Sequence, residues 1–534
     1  MSEPTVATRL VRSLEAFGIE VVFGIPGVHT LPIYAALAAS DLRHVLAAHE
    51  QGAAFMADGY ARATGRHAAC ALVSGPGVLN AATAIGEAYA DSVPMLVLTT
   101  VNRREHLGLG RGELHELRDQ RLALAGCTEA VWTLHDPAAL DATLAAVETV
   151  LTTGRRRPAV LEIPLDVLAA PAPAGAPVGK PSVWPPVPPE AALAAAADLL
   201  AAAARPLVVV GGGAIGAAAE VLALQARLGS IVAATIAGKG IVPDRAPGVL
   251  GATLRQPQAR TLAAEADVVL IVGSELATRD CGDLDWLQGK RVVRVDLCPR
   301  TVTRGRVPDV ALHGDAAATL ALLAARCPTK PPNEWQAQAA AANEAARAAR
   351  LAGRPHQGHF LEQLRTALPD DGIVATDMTQ IAYTGNVVFE ARRPGTWLHP
   401  TGFGTLGWAL PAAIGAKIGA PSTPVVALTG DYGFGFTANE LQTARDLALP
   451  LPIVVWNNGK PLDVIREMQM AGIERHVGTS PGPVDLEALA RAHGSAYRRL
   501  ADPNGLAALL DRAFTAGGPT IIDVDGSADR ASRP

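Results

Sequence analysis

Two side chains with hard oxygen donors stand 27 residues apart, Asp431 in "PVVALTGDYGFG" and Asn458 in "LPIVVWNNG", each at the end of an apolar run. A carboxylate, an amide oxygen and a nearby backbone carbonyl suit Mg2+, but they are too few to fill its octahedron. An ion held this way completes its shell with water and phosphate oxygens. Gly430, Gly433 and Gly435 would let backbone N–H groups approach a phosphate at a helix start. The chemistry suggested is a magnesium-held diphosphate. Taken singly, Asp431 reads as a turn acid and "NNG" as one more bend. Their pairing across one crossover is what favours the ligand reading.

That pairing requires a βαβ unit. "PVVALT" reads as a strand, Thr437 to Glu440 as a capping box opening a helix through Leu449, and "LPIVVW" as the next parallel strand. Such a crossover brings both strand ends to one sheet edge, where α/β proteins bind ligands.

The same alternation runs through the 534 residues. Short β-branched runs such as "ACALVS", "PMLVLTT", "ADVVLIVG" and "GIVATD" are separated by helix-length Ala/Leu segments, the pattern of parallel sheets covered on both faces. The length exceeds one core. A Pro/Ala-rich stretch, "AAPAPAGAPVGKPSVWPPVPPE", reads as a linker after the first unit. The expected fold is α/β with three doubly wound parallel-sheet domains, at residues 1–168, 189–330 and 356–530.

Composition narrows the function classes. A formal charge of −5 with 18% charged residues gives no basic footprint for nucleic acid. Five scattered cysteines without CxxC spacing indicate neither a disulfide framework nor a zinc site. The start lacks a basic leader with an apolar core, and the Ala-rich stretch 191–204 is interrupted by Asp198 and closed by Arg205, short of a membrane span. The expectation is a cytoplasmic protein acting on a small molecule, away from membranes.

Gly430-Asp431 followed by Asn457-Asn458 resembles the magnesium diphosphate motif of thiamine diphosphate enzymes. The resemblance implies that Asp431, Asn458 and the carbonyl of Lys460 ligate Mg2+, with Gly430 and Gly433 along the diphosphate. Tyr432 stands where the family usually has a second glycine. "HEQGAAFMADGYARATG" resembles the family's first-domain helix, which implies that Glu50 hydrogen-bonds the aminopyrimidine ring. A carboxylate there shares a proton with the ring and starts the cycle. In "PTGFGTLGWALPAAIGA" the resemblance gives the Gly404 carbonyl to the cofactor's amino group and Leu406 to the wedge beneath it, and in "ATDMTQ" it gives Gln380 to the diphosphate. It implies thiamine diphosphate and Mg2+ as cofactors. It further implies a homodimer or homotetramer, because Glu50 would meet the diphosphate domain of another subunit.

The middle unit carries Gly211 to Gly216 in formal GxGxxG spacing after a strand, which raises a nicotinamide oxidoreductase as an alternative. The acid expected about 20 residues on is missing from "SIVAATIAGKG". Middle domains of the family sometimes hold FAD or ADP; FAD is not the expectation here.

Within the family the chain resembles the acetolactate synthase-like branch, with changes. "GKPLDVIREMQMAGIERH" lacks the tyrosine and tryptophan that synthases carry after the motif, and Leu114-His115-Glu116 replaces their Phe-Gln-Glu. "FGIPGVHTLPIY" and "VNRREHLGLGRGELHELRDQ" resemble most the 2-ketoarginine (5-guanidino-2-oxopentanoate) decarboxylases. The activity implied is non-oxidative decarboxylation of a 2-oxo acid. Glu113, Glu116, Asp463 and Glu467 are candidate partners for a guanidinium, although each also reads as a solvated surface acid. His29 and His115 are candidate proton relays, each against a purely structural reading. Acetolactate synthase-type carboligation and a catalytically idle member of the fold are further alternatives.

Overall fold

The computed structural model describes residues 3–331, 333–459, 462–479 and 481–530. The apolar runs form three sheets, each of six strands and parallel throughout. The first holds β1 (Val21–Gly24), β2 (Arg43–Leu46), β3 (Ala69–Leu72), β4 (Leu96–Val101), β5 (Ala130–Thr133) and β6 (Ala159–Pro164), in the order β2-β1-β3-β4-β6-β5. The second holds β7 (Pro206–Val210), β8 (Ile231–Ala234), β9 (Val249–Gly251), β10 (Val268–Val272), β11 (Arg291–Asp296) and β12 (Val310–His313), in the order β12-β11-β10-β7-β8-β9. The third holds β13 (Ile373–Thr376), β14 (Trp397–Leu398), β15 (Val425–Gly430), β16 (Pro452–Asn457), β17 (Ala496–Leu500) and β18 (Thr520–Asp525), in the order β14-β13-β15-β16-β18-β17. Thus the first and third sheets repeat one topology, and the middle one has the doubly wound order of dinucleotide-binding folds.

Central strands are mostly apolar because helices cover both faces; β4, β6 and β15 are buried at every position, the polar Thr99, Thr100, Glu162 and Thr429 included. The helix Glu334–Leu351 belongs to the middle core, with Trp335 buried and its Nε1 donating to the Pro206 carbonyl at 3.1 Å.

One core runs unbroken from the first sheet to the third, through Phe55, Met56 and Tyr60 to Trp408, Leu410 and Ile414. Two helices, Glu50–Thr64 and Ala409–Gly419, make that join. They meet backbone to backbone: a Cβ on Gly59 would lie 2.0 Å from the Ala412 carbonyl oxygen, and one on Gly415 1.8 Å from that of Met56. Only glycine admits so close a crossing. The helix that begins at Glu50 is therefore seated directly on the domain that carries Asp431.

The expected helix start at Thr437 is corrected. The helix begins six residues earlier, as Asp431–Thr437, followed by a 3-10 turn Ala438–Glu440 and the helix Leu441–Asp446. Gly430 supplies the extended N-cap backbone and Asp431 the first-turn acid that the helix dipole favours. Glu440 does not turn back onto Thr437 but reaches the other domain, as described below.

Candidate active site

At the edge of the third sheet, β15 and β16 lie side by side with Gly430 paired to Trp456. The βαβ crossover brings the motif's two ends together: Asp431 Oδ2 accepts from the Gly459 N–H at 2.7 Å. Burial pushes the Asp431 carboxyl upward, against the backbone N–H groups of Gly459, Asn458 and Tyr432. Asn458 is only 8% exposed, and its Oδ1 is buried without a hydrogen-bond partner. A desolvated amide oxygen is costly unless something fills its lone pairs, and a hard cation does so. Lys460 lies outside the described residues. Tyr432 is half-exposed and packs edge-to-face on Phe436 at 5.6 Å, so its ring leaves the loop. Gly433 sits on Asp377 and Gly430 on Thr379; a Cβ on either would come within 2.8 Å of those side chains' oxygens. Thr379 is the N-cap of the helix Gln380–Val388, which places Gln380 beside this loop.

Gly404 and Leu406 lie on the adjoining loop, where Gly404 takes the left-handed φ of +75°. The loop is clamped from two sides. Glu87 of the first domain accepts from the Thr405 N–H and hydroxyl, both at 3.1 Å, and Asp91 accepts from the N–H groups of Thr401 and Gly402. From below, Asp377 accepts from the Gly407 N–H and the Thr429 hydroxyl. Burial, and next to it the Asp91 charge, pushes Glu87 up to about 7; burial pushes Asp377 up to about 6. Sequence reasoning missed both. Asp377 had a legible signal, an acid directly after the strand "GIVAT"; Glu87 had none, being one acid on an Ala-rich helix.

The other half gathers Glu50, His29 and His115. His49 caps the helix opened by Glu50, and Glu50 Oε2 accepts from Asn80 Nδ2 at 3.0 Å. Its Oε1 faces Gly77, where a Cβ would lie 3.3 Å away. The turn bearing Gly77 also bears Ser74, whose Oγ lies 2.7 Å from His29 Nδ1. His29 packs edge-to-face on His115 with ring centroids 4.9 Å apart, and burial, then the His115 charge, lowers its pKa. His115 holds a left-handed φ of +58°, a strained backbone for a side chain of its size, and its Nδ1 is buried without a partner. Ser74 and His115 line a cavity of about 320 Å³ together with Asn102, Gln120, Thr133 and Glu162.

A second cavity of about 440 Å³ lies between the middle and third domains and is lined by Gln380, Tyr383, Asp280 and Glu467 among others. Of the candidate acids, Glu116 is committed to its own loop, accepting from the N–H groups of Gly110, Gly112 and Glu113. Glu113 pairs with His106 at 2.9 Å. Glu467 alone of the four is found facing a cavity, and the Asp463 side chain lies outside the described residues.

The glycine run of the middle domain is spent on packing. Gly211 N–H donates to Val272 O, Gly213 N–H to Gly273 O and Ala214 N–H to Gly211 O. A Cβ on Gly211 would sit 2.3 Å from the Gly273 oxygen. Three of the run's N–H groups thus already have backbone partners, and the oxidoreductase reading finds no support.

Three parallel-sheet domains, with a strand-end Asp–Asn pair in the third and a helix-opening glutamate in the first, match the arrangement expected of a thiamine pyrophosphate enzyme. Residues 4–122 match the N-terminal TPP binding domain of that family, 193–323 its central domain and 377–524 its C-terminal TPP binding domain. The chain belongs to this family. Among curated proteins it is 44% identical, over 97% of this chain and 94% of that protein, to the "Probable 2-ketoarginine decarboxylase" of Pseudomonas aeruginosa. It is 31% identical to the acetolactate synthase large subunit of Parasynechococcus marenigrum, over 97% and 87% of the two chains. It is 30% identical to the isozyme 2 large subunit of Escherichia coli, over 96% and 94%.

Proposed function

We propose that this enzyme uses thiamine diphosphate and Mg2+ to decarboxylate a 2-oxo acid without oxidation, and that its substrate is 5-guanidino-2-oxopentanoate, released as 4-guanidinobutanal and CO2. The observation that carries the reading is the 44% identity, over nearly the full length of both chains, to a protein of that name, against about 30% to the synthases.

The residues present fit the cofactor. Asp431, the orphaned Oδ1 of Asn458 and the Lys460 carbonyl would hold Mg2+, with Gly430, Gly433 and Gln380 along the diphosphate. The Gly404 carbonyl and Leu406 would orient the aminopyrimidine, and Glu50 would hold the proton it shares with that ring. The chemistry the cofactor would supply there is an electron sink for the pair left as CO2 departs. His29 is kept neutral by burial and contact with His115, so the pair can pass one proton to the carbon that loses CO2. Loss of the synthases' aromatic segment leaves Glu467 and Asp280 at the second cavity as partners for a guanidinium.

Exposed apolar side chains rim both halves, Val28, Leu31 and Leu46 on one and Phe403, Tyr432 and Phe436 on the other. They support a homo-oligomer in which a second copy covers them.

The test is CO2 release by the protein reconstituted with thiamine diphosphate and Mg2+, comparing 2-ketoarginine with pyruvate and identifying products. 4-Guanidinobutanal from 2-ketoarginine supports the reading. Acetolactate from pyruvate would make the enzyme a carboligase instead.

A further inference from the structure

Beneath the Ser74 turn lies a buried chain of hydrogen bonds with no counterpart in the cofactor motifs. The Gly75 N–H donates to Gln120 Oε1 at 2.9 Å. Gln120 Nε2 donates to the Thr100 carbonyl and to Glu162 Oε2, each at 3.1 Å, and the Thr133 hydroxyl donates to Glu162 Oε1 at 2.5 Å. Gln120 is 5% exposed and Glu162 3%. Every partner here has a fixed role: an N–H needs the amide oxygen, and a backbone carbonyl needs the amide nitrogen. Gln120 therefore has a single orientation.

The chain ends where the candidate chemistry begins. Gly75 takes φ +62° with its Cα pressed on the His115 carbonyl, where a Cβ would be 2.6 Å away. Ser74 on one side of it holds His29, and Gly77 on the other leaves room for Glu50. Glu162 takes its side-chain hydrogen bonds from Gln120 and Thr133, and burial raises its carboxyl against those bonds and the Arg121 charge. A buried acid with only neutral donors is a poor source of net stability but a rigid anchor.

We infer that Gln120 and Glu162 are positioning residues that hold the Ser74–Gly77 turn and, through it, keep the Ser74 hydroxyl against His29 Nδ1. The inference rests on the reading of His29 as a relay. Gln120→Glu is nearly isosteric and still accepts from Gly75, yet it keeps at most one of the two donations, and that one only by sharing a proton with Glu162. Glu162→Gln can rebuild the network, its oxygen accepting from Gln120 and its amide donating to Thr133. Glu162→Leu cannot.

The experiment measures the four proteins by 15N NMR of the histidine rings without substrate, and by kcat and KM with 2-oxo acid. Gln120→Glu and Glu162→Leu should shift the His29 tautomer populations and lower kcat at least about tenfold with KM changed less than about threefold. Glu162→Gln should stay near wild type in both. Wild-type His29 signals in Gln120→Glu, or a Glu162→Gln protein as impaired as Glu162→Leu, would overturn the inference. Should the wild-type enzyme turn over no 2-oxo acid, the functional reading fails, while the ring spectra still decide the positioning role.

Discussion

Glu440 binds the backbone of His49: its carboxylate accepts the His49 N–H at 3.0 Å and the neighbouring Ala48 N–H at 3.1 Å. A residue of the diphosphate-type domain thereby fixes the first turn of the helix that opens with Glu50. The carboxylate also lies against Gly52, where a Cβ would be 1.9 Å from Oε1. Glu440→Leu strands both N–H groups and should cost about 1–3 kcal/mol. Glu440→Gln keeps one acceptor and should cost less. Calorimetric unfolding of the two variants checks this; equal midpoints for all three proteins would remove Glu440 from the brace.

Asn458 offers a sharper test of the ion. If its orphaned Oδ1 ligates Mg2+ as proposed, Asn458→Ala should raise the Mg2+ concentration needed for half-maximal cofactor binding at least about tenfold. Asp431→Asn should do the same. Titrating Mg2+ into the chelator-stripped protein, with cofactor binding followed by fluorescence quenching, measures both. Superimposable curves would mean that Asn458 Oδ1, which lies against Gly526 where a Cβ would be 2.5 Å away, only packs there.

Glu50→Gln preserves shape and the bond from Asn80, but it cannot exchange a proton. Turnover should fall by about 100- to 10,000-fold while cofactor affinity changes little. Steady-state decarboxylation alongside cofactor titration separates the two. Full activity in this variant would sink the proton-sharing role.

Much of this was legible in the chain because parallel sheets write themselves as apolar runs, and because Asp431 and Asn458 follow such runs directly. The braces were not. Glu440 fits a capping box in its own segment, and its use 391 residues away, on His49, is set by tertiary packing. Gln120 opens a short helix and Glu162 interrupts an apolar strand, and neither position says which partners converge on it. The glycine run at 211–216 shows the reverse case. Its spacing suggests phosphate, whereas the N–H groups of Gly211 and Gly213 go to the end of the neighbouring strand, at Val272 and Gly273.

His399 should make the fold sensitive to acid in a predictable direction. It is buried beside Thr376, whose hydroxyl lies 2.7 Å from Nδ1, and Nε2 has no partner. Burial, then the charges of Arg279 and Arg62, lowers its pKa from 6.5 to about 3. Between those two values the unfolded chain binds a proton that the folded chain refuses, so stability from this group is complete above pH 6.5 and declines as pH falls toward 3. At pH 5 the loss amounts to about 2 kcal/mol. His399→Gln keeps a partner for Thr376 but does not titrate, so its stability should fall less between pH 7.5 and pH 5. Urea unfolding of both proteins at the two pH values gives the difference directly, with the remaining titrations common to both. Parallel losses would show that His399 takes up its proton in the folded state without cost.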